Sequence, residues 1–320
     1  MMDVVKELRK VIALSDEKYY LYNEHDVLYL PLHVPVGIPI LQFMKVFFEK
    51  YKSLLNDSKA ILKDCGIDDV GDIIEKVEKF QDAYVHMHEK ILSGEANEAY
   101  QEMESILNSN EGKEYFITTE IKQQELPLRL YRARTGINWT QKEDFYHIPF
   151  NKVYLCNSFR FSIAGYPSLY LGFSPEVCKK EVRGKDCSYI ELTLTNTLRV
   201  VDLTWDTKHI TSKSTSAFLQ AYPIIAACYV VPFYCKNMKK ECPEVLQTFK
   251  EQYIFPQYVT MFIKKYLGVE GIIYFSTRDE DLDPSKDNDK NIALFPKYDG
   301  NSPYDEGLIH KFEWGAISIM

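Results

Sequence analysis

Residues 168–194 read SLYLGFSPEVCKKEVRGKDCSYIELTL, and this stretch decides the fold class. Its two ends, 168–172 and 188–194, are short and rich in Leu, Ile, Tyr and Thr, a composition that favours β-strands. The segment between them, 175–182, is predicted to form a short helix. A brief helix between two strands indicates a domain in which both kinds of element are mixed.

The same pattern continues on both sides, from residue 116 to the C-terminus. Further strands are predicted at 128–134, 199–202, 271–275 and 292–295, and further helices at 216–231 and 243–267. Because strands and helices do not alternate regularly, we expect an α+β fold with a mixed sheet rather than a doubly wound one. Residues 116–320 are therefore predicted to form one domain.

Residues 1–115 are predicted to form a separate helical region. Apolar side chains from Val70 to Ile91 recur every three or four residues, which places them on one face of a helix. A second helix is expected at 95–107. His86 and His88 lie two positions apart on the first helix, so they point away from each other and cannot share a metal ion.

Composition excludes several classes of protein. The formal net charge of -8 disfavours an extended phosphate-binding surface, so nucleic acid is not an expected partner. The seven Cys are an odd number without paired short spacings, which favours a reduced, cytoplasmic compartment. The apolar stretch 27–48 contains Pro31, Pro35 and Pro39, which exclude a regular membrane-spanning helix, so no membrane is expected.

Common catalytic and metal-binding motifs are absent from the sequence. It contains no G-x-G-x-x-G and no G-x-x-x-x-G-K-[ST], so neither a Rossmann nor a P-loop mode of nucleotide binding is supported. It also lacks H-E-x-x-H, paired C-x-x-C and G-x-S-x-G. We therefore expect no metal site, and a nucleotide would have to be bound in another way.

Four short segments, taken in order, resemble one known family. They are LYRAR at 130–134, FYHIPF at 145–150, RFSIAGYPSLYLG at 160–172 with Glu181 shortly after, and GIIYFSTR at 271–278 with 291–295 following. In this order they resemble the RES domain, which is named for its Arg, Glu and Ser. Arg132, Glu181 and Ser276 match those three residues, and the resemblance spans roughly 130–296.

The resemblance implies both a fold and an activity. Characterised RES proteins are toxins of bacterial toxin–antitoxin pairs that destroy NAD by hydrolysis or phosphorolysis, on a fold related to ADP-ribosylating toxins. It therefore implies an ADP-ribosyltransferase-like sheet, with NAD as substrate and no separate cofactor. It also implies an antitoxin partner, often a helix-turn-helix protein. Sequence patterns alone do not indicate this activity.

The residue types suit such a reaction. Cleavage of the nicotinamide–ribose bond develops an oxocarbenium ion, which a carboxylate such as Glu181 can stabilise. Either Arg132 or Arg134 could hold the pyrophosphate through a bidentate fork, because the two share one face of a strand. The hydroxyl of Ser276, at the end of an apolar strand, could bond to a ribose or an amide.

Other polar and aromatic side chains are candidates for binding the substrate. Stacking on nicotinamide or adenine is a possible role for several aromatic residues, although packing in the core is the more common role of such rings. The candidates for substrate binding, besides Arg134, are Tyr131, Tyr146, Tyr170, Arg160 and Asn291. His147 could act as an acid or base, but its apolar setting favours a structural role.

Two other functions remain open at this stage. An ADP-ribosyltransferase would break the same bond but deliver the ribose to a macromolecule, and the loops that select the acceptor cannot be recognised in the sequence. A non-catalytic binding module is the second alternative, in which the N-terminal helices would provide the interaction surface.

Overall fold

The structure is a computed structural model that describes residues 30–35, 38–64, 66–109, 112, 115–122, 128–183, 186–204, 212–232, 250–277 and 289–319. Two features from the sequence fall partly outside these described residues. They are the part of the predicted helix 243–267 before residue 250, and Arg278, the last residue of the GIIYFSTR motif.

The helices and strands have the following bounds in chain order. They are β1 (Leu32–Val34), α1 (Ile40–Asp57), α2 (Lys59–Asp64), α3 (Val70–Leu92), α4 (Ala96–Leu107), β2 (Thr118–Ile121), β3 (Arg129–Thr135), β4 (Leu169–Gly172), α5 (Pro175–Glu181), β5 (Cys187–Leu194), β6 (Leu198–Asp202), α6 (Ser212–Cys228), β7 (Val230–Pro232), α7 (Ile254–Tyr266), β8 (Gly271–Phe275), β9 (Lys290–Leu294), α8 (Glu306–Ile309) and β10 (Phe312–Ile319). Short 3-10 helices lie at Lys142–Phe145, Phe150–Leu155 and Glu251–Tyr253.

The chain divides into two compact units. The helical unit combines Met1–Phe116 with Asp206–Tyr258, and the sheet unit combines Ile117–Trp205 with Val259–Met320. The chain first passes from one unit to the other after Phe116, next to the boundary predicted after residue 115. Residues 206–258, which the sequence prediction placed with the sheet, lie in the helical unit.

Apolar faces of the helices form the core of the helical unit. The stripe predicted for α3 is buried at Val70, Ile73, Val77, Phe80, Tyr84 and Met87. Phe48 of α1 packs against both Phe80 and Tyr84, with ring centroids 5.8 Å apart in each case. The hydroxyl of Tyr51 donates a 2.7 Å hydrogen bond to the carbonyl of Leu219 in α6. Apolar residues that recur every three or four positions thus correctly predict the buried face of α3.

The helix predicted at 216–231 is wrong at its C-terminal end. Helix α6 stops at Cys228, and Val230 and Val231 pair in parallel with Leu32 and His33 of β1. A short apolar run can form either a helix or a strand. Residues 230–232 form a strand because they pair with the distant strand β1.

His88 in α3 is expected to make the stability of the helical unit depend on pH. Its side chain is 3% exposed, its Nε2 has no hydrogen-bond partner among the described residues, and its Nδ1 lies 3.8 Å from Glu251 Oε1. Burial lowers the pKa of His88 to about 4. Between pH 6.5 and 4 the unfolded chain therefore binds a proton that the folded chain does not, so stability should fall as the pH falls.

The size of this effect can be measured against a matched control. By pH 4 the loss from His88 should approach about 3 kcal/mol, which urea unfolding between pH 7.5 and 4 would detect. The His88→Leu variant should lose this dependence, whereas His86→Leu, on a side chain that is 49% exposed, should keep it. Burial raises the pKa of Glu251, which acts in the opposite direction, so the difference between variants isolates the imidazole. Equal pH slopes in wild type and His88→Leu would contradict the prediction.

The sheet unit is built on one mixed sheet of eight strands. Their order is β10-β5-β3-β4-β9-β8-β6-β2, and the neighbours are antiparallel except for the parallel pair β6 and β8. This arrangement confirms the predicted α+β fold with a mixed sheet. All strands predicted between 128 and 295 are present, with ends that shift by one or two residues.

Two strands at the edges of this sheet were not predicted. In β2, Thr118–Ile121, the side chains are exposed except for a half-buried Ile121, so no apolar alternation marks the strand. In β10, Phe312–Ile319, the pairing with β5 shifts between Trp314 and Ile317, which interrupts the alternation. The pattern in the sequence is therefore weak in β2, which buries almost no side chain, and broken in β10 after Trp314.

Apolar side chains on one face of the sheet form a buried cluster with side chains from the segments around the sheet and from the edge strand β10. Leu130, Leu171, Ile190 and Ile292 are buried in one cluster with Phe145, Leu308 and Trp314. None of the described helices is long and apolar enough to cross a membrane.

Candidate active site

Helix α5 lies close to the sheet because Gly172 has no side chain. Ser174 Oγ accepts a hydrogen bond from the amide of Val177 at 3.2 Å and caps the helix. A Cβ at Gly172 would lie 2.5 Å from Val177 Cγ1 and 2.7 Å from Cys178 Sγ. A larger residue would push α5 away, so Gly172 helps to set the position of Glu181, the last residue of the helix.

Glu181 accepts two hydrogen bonds at one carboxylate oxygen. Ser276 Oγ donates to Glu181 Oε1 at 2.7 Å, and Asn291 Nδ2 donates to the same oxygen at 2.9 Å. Both donors are buried, with exposures of 0% and 3%, whereas Glu181 is exposed. Two fixed donors therefore orient a carboxylate that solvent and a ligand can reach.

These groups come from neighbouring strands in one row across the sheet. Asn291 of β9 lies opposite Tyr274 of β8 on one side and opposite Gly172 of β4 on the other, and Gly172 lies opposite Tyr131 of β3. Directly opposed residues point to the same face. Ser276 follows β8, two residues after Tyr274. The row thus lies on the face against which α5 packs.

Strands β3 and β4 pair through Tyr131 and Gly172 alone, although β3 continues to Thr135. Beyond this pair the two strands separate, and we call this point the fork. The thiol of Cys178 lies at the fork. Its Sγ donates to the carbonyl of Tyr131 at 3.2 Å, and backbone groups of Gly172 and Ala133 also bond to it. Burial raises the pKa of Cys178 to about 12, so it remains a neutral thiol that joins α5 to both strands.

Arg132 and Arg134 come directly after the last residue of β3 that pairs with β4, Tyr131, and both lie on one face of β3. We call them the guanidinium pair. Arg132 Nη1 and Arg134 Nε are buried and have no hydrogen-bond partner among the described residues. Burial, followed by the charge of Arg134, lowers the pKa of Arg132 from its ordinary value, but a guanidinium stays charged at neutral pH. Two adjacent cations with unsatisfied donors favour binding of an anion.

The thiol of Cys178 is influenced by the charges of both Arg132 and Glu181. After burial, the charge of Glu181 raises the pKa of Cys178 and the charge of Arg132 lowers it. Both charges therefore lie near one buried sulfur. The structure brings Glu181, Ser276 and Asn291 into direct contact, and it places Arg132 beside the same thiol rather than in a hydrogen bond to any of these three.

Tyr131 and Tyr146 form contacts within the protein. The hydroxyl of Tyr131 donates to Glu191 Oε2 at 3.1 Å. The ring of Tyr146 lies 4.6 Å from that of Trp314 and 5.5 Å from that of Tyr304, centroid to centroid. Both side chains are half-buried.

Arg160 and Tyr170 are held close to the strand row. Tyr170, in β4, accepts a hydrogen bond at its hydroxyl from the amide of Phe161 at 3.3 Å. The ring of Phe161 lies 4.7 Å from that of Tyr274, which is in the row with Asn291. Arg160, next to Phe161, is 8% exposed. The RFS segment therefore lies on the same face of the sheet as Glu181.

His147 has a structural role. Its Nε2 accepts a hydrogen bond from the amide of Asp305 at 2.9 Å, so the proton is on Nδ1, which donates to the carbonyl of Ile148 at 2.8 Å. The side chain is 1% exposed, and burial lowers its pKa. With both ring nitrogens bonded to backbone, His147 is not placed to exchange a proton with a ligand.

Sequence reasoning missed Gly172, Cys178 and Trp139. Gly172 and Cys178 determine how α5 sits on the sheet, and a glycine two residues before the N-cap Ser174 is a sequence signal for the first of them. Trp139 lies beside Arg134, in a loop without a recognisable motif. Among the described residues, no group of three or more His, Cys, Asp or Glu is arranged to hold a metal ion.

The fold and the candidate site together indicate the class of protein. It is an α+β protein with an exposed carboxylate that buried Ser and Asn side chains hold, and with two Arg on a neighbouring strand whose buried nitrogens have no partner among the described residues. The family follows from comparison with known sequences, since the RES domain profile matches residues 129–305, more than half of the chain. The chain belongs to the RES domain family, which confirms the resemblance seen in the motifs.

A curated relative extends the comparison. The chain is 26% identical over 229 residues to "Putative toxin YopC" of Bacillus subtilis (strain 168), covering 64% of this chain and 50% of that protein. The chain thus matches about half the length of this relative. No solved structure matches the chain significantly.

Proposed function

We propose that the chain is an enzyme that consumes NAD by cleaving the bond between nicotinamide and ribose, with water or phosphate as acceptor. The observation that supports this most is the Glu181 carboxylate, whose Oε1 is fixed by Ser276 and Asn291. The unsatisfied guanidinium of Arg132 acts on the same thiol, that of Cys178, as the Glu181 carboxylate does. A fixed carboxylate suits a developing cation, and an unsatisfied guanidinium suits a phosphate.

Glu181 would act on the ribose of the nicotinamide half. As the C1′–N bond breaks, the electron pair leaves with neutral nicotinamide, and positive charge develops on the ribose. A carboxylate already oriented by two donors stabilises this charge without reorganisation during the reaction. Water attack at C1′ gives ADP-ribose and releases a proton, whereas phosphate attack gives ADP-ribose 1-phosphate.

Ser276 and Asn291 would act mainly through Glu181. The hydroxyl hydrogen of Ser276 is directed at Glu181 Oε1, so Ser276 can offer a ligand only its lone pairs. The amide of Asn291 donates to the same oxygen. Sequence reasoning assigned these side chains to substrate contacts, and the geometry favours instead a role in holding the carboxylate.

Arg132 would bind the diphosphate of NAD. A buried guanidinium nitrogen without a partner costs free energy in the ligand-free protein, and a phosphate oxygen would satisfy it. Arg forms paired hydrogen bonds to a phosphate, which a Lys at this position could not do. Arg134 adds a second positive charge two residues along the strand.

A toxin role is part of the same proposal. The relative from Bacillus subtilis carries the name "Putative toxin YopC". Destruction of NAD would stop growth of a cell that makes the protein. Such a protein needs an inhibitor in its own cell, so we propose an antitoxin protein as partner.

The acceptor can be identified from the products. Purified protein would be incubated with NAD labelled in its adenosine half, in buffer alone, with phosphate, and with a cell extract. We expect free labelled ADP-ribose in buffer, or ADP-ribose 1-phosphate that forms only with phosphate. Label that appears on macromolecules instead would indicate an ADP-ribosyltransferase, and intact NAD in all three mixtures would contradict the proposal.

A further inference from the structure

Trp139 lies beyond the guanidinium pair. Its ring centroid is 5.2 Å from Arg134 Cζ, and its Nε1 donates to the carbonyl of Thr135 at 3.0 Å, which fixes the ring relative to the end of β3. The residue is half-buried and packs at the edge of the apolar cluster of the sheet unit, so it keeps some exposed surface. A fixed indole in a partly exposed residue beside an unsatisfied cation suits a ligand that has a flat ring next to an anionic group.

The polar groups follow one another along β3. Near its middle, Cys178 bonds to the carbonyl of Tyr131, with Glu181 one helical turn along α5. Arg132 is next, Arg134 lies about 7 Å further along the strand, and the ring of Trp139 is attached at the strand's end. These groups therefore occur in this order along β3, with Glu181 on the Tyr131 face and the guanidinium pair on the opposite face, beside the point where β3 is no longer paired with β4.

NAD has matching groups in the same order. Its nicotinamide ribose would meet Glu181, its diphosphate the guanidinium pair, and its adenine a flat surface beyond the second cation. We propose that Trp139, with Arg134, forms the subsite for the adenosine half of the substrate. This inference rests on the proposed function for the position of the reacting bond, but binding of the adenosine half can be tested without any reaction.

Such a subsite predicts a specific change in substrate preference. Stacking of one base on an aromatic side chain is worth roughly 1 to 3 kcal/mol when measured by substitution with Ala. The Trp139→Ala variant should therefore raise KM for NAD by about tenfold, which corresponds to about 1.4 kcal/mol. Trp139→Phe keeps a flat ring and should lose much less.

Nicotinamide mononucleotide separates a subsite from a general loss of structure. It keeps the scissile bond but lacks the adenosine half, so Trp139→Ala should leave its kcat/KM within about twofold of wild type. Ile137→Ala, a matched change at a side chain that is 49% exposed in the same loop, should affect neither substrate. Equal losses for NAD and the mononucleotide in Trp139→Ala would overturn the proposal.

Binding of ADP-ribose provides a test that does not depend on catalysis. Titration of wild-type protein should change the tryptophan fluorescence, and because the chain has three Trp, this change should be assigned to Trp139 by its loss in Trp139→Ala. Calorimetry should show about tenfold weaker binding by Trp139→Ala. This test decides on the subsite even if no nicotinamide is released from NAD, in which case only the proposed reaction fails. Equal affinities of wild type and Trp139→Ala for ADP-ribose would overturn the subsite.

Discussion

Replacing Glu181 by Gln should slow nicotinamide release from NAD by about a hundredfold to a thousandfold, the usual effect of removing one group that stabilises transition-state charge. The amide of Gln has nearly the same shape as the carboxylate, and its oxygen can still accept the hydrogen bonds from Ser276 and Asn291. The loss would therefore be in kcat, with KM for NAD little changed.

Glu176 offers a matched control on the same helix. It is exposed and lies in the first turn of α5, so Glu176→Gln removes the same charge from the helix without changing the bonds to Ser276 and Asn291. This variant should keep the wild-type rate. A Glu181→Gln protein that folds normally and retains its rate within a few fold would show that Glu181 does not stabilise the reacting ribose.

Replacing Arg132 by Met should have two effects of opposite sign. Loss of charge-assisted hydrogen bonds to the diphosphate, each worth about 1.5 to 3 kcal/mol, should raise KM for NAD about 10- to 100-fold. The same change removes a buried nitrogen without a partner and leaves an apolar side chain of similar length. Resistance to unfolding should therefore rise, by about 1 to 3 kcal/mol.

Steady-state kinetics and urea unfolding of the same protein measure the two effects together. Arg129→Met is the matched control, because Arg129 is on the same strand with its side chain 61% exposed, and its Nε lies 3.6 Å from Glu191 Oε1. This control should change neither quantity appreciably, since exposed ion pairs contribute little. An Arg132→Met protein that is less stable than wild type, or that binds NAD equally well, would contradict a role of Arg132 in holding phosphate.

Local patterns predicted much of the fold. The central strands β4 and β8 are short apolar runs, β5 alternates buried and half-buried side chains, and β3 is rich in residues that favour strands; all four were placed within one residue of their observed ends. In α3 the apolar spacing predicted both the helix and its buried face. In these elements the buried positions require apolar side chains at regular spacings, and these spacings can be recognised in the sequence.

Elements that depend on distant partners were not predictable in this way. Strand β7 forms because Val230 pairs with Leu32, almost two hundred residues earlier. Edge strand β2 buries too little to show alternation, and in β10 a register shift after Trp314 interrupts the alternation. The order of strands in the sheet is also a long-range property. No local pattern in residues 129–172 indicates that β3 and β4 pair at a single position.

The residues of the candidate site could be chosen from the sequence, but their contacts could not. The motifs identified Arg132, Glu181 and Ser276, and Asn291 was chosen only as a binding candidate. The bond from Asn291 to Glu181 joins residues 110 positions apart, and the fork occupied by Cys178 depends on strand pairing. Such contacts depend on which strands become neighbours in the sheet, and local sequence patterns do not show this.

Nicotinamide release from NAD tests the central claim most directly. Proton NMR of NAD incubated with the purified wild-type chain, in phosphate and in a buffer without it, follows the nicotinamide and the ribose C1′ proton in one sample. We predict that free nicotinamide appears in step with the loss of NAD, and that Glu181→Gln protein leaves NAD intact over the same time. Persistent intact NAD with folded wild-type protein, or equal release by the Glu181→Gln protein, would contradict the account.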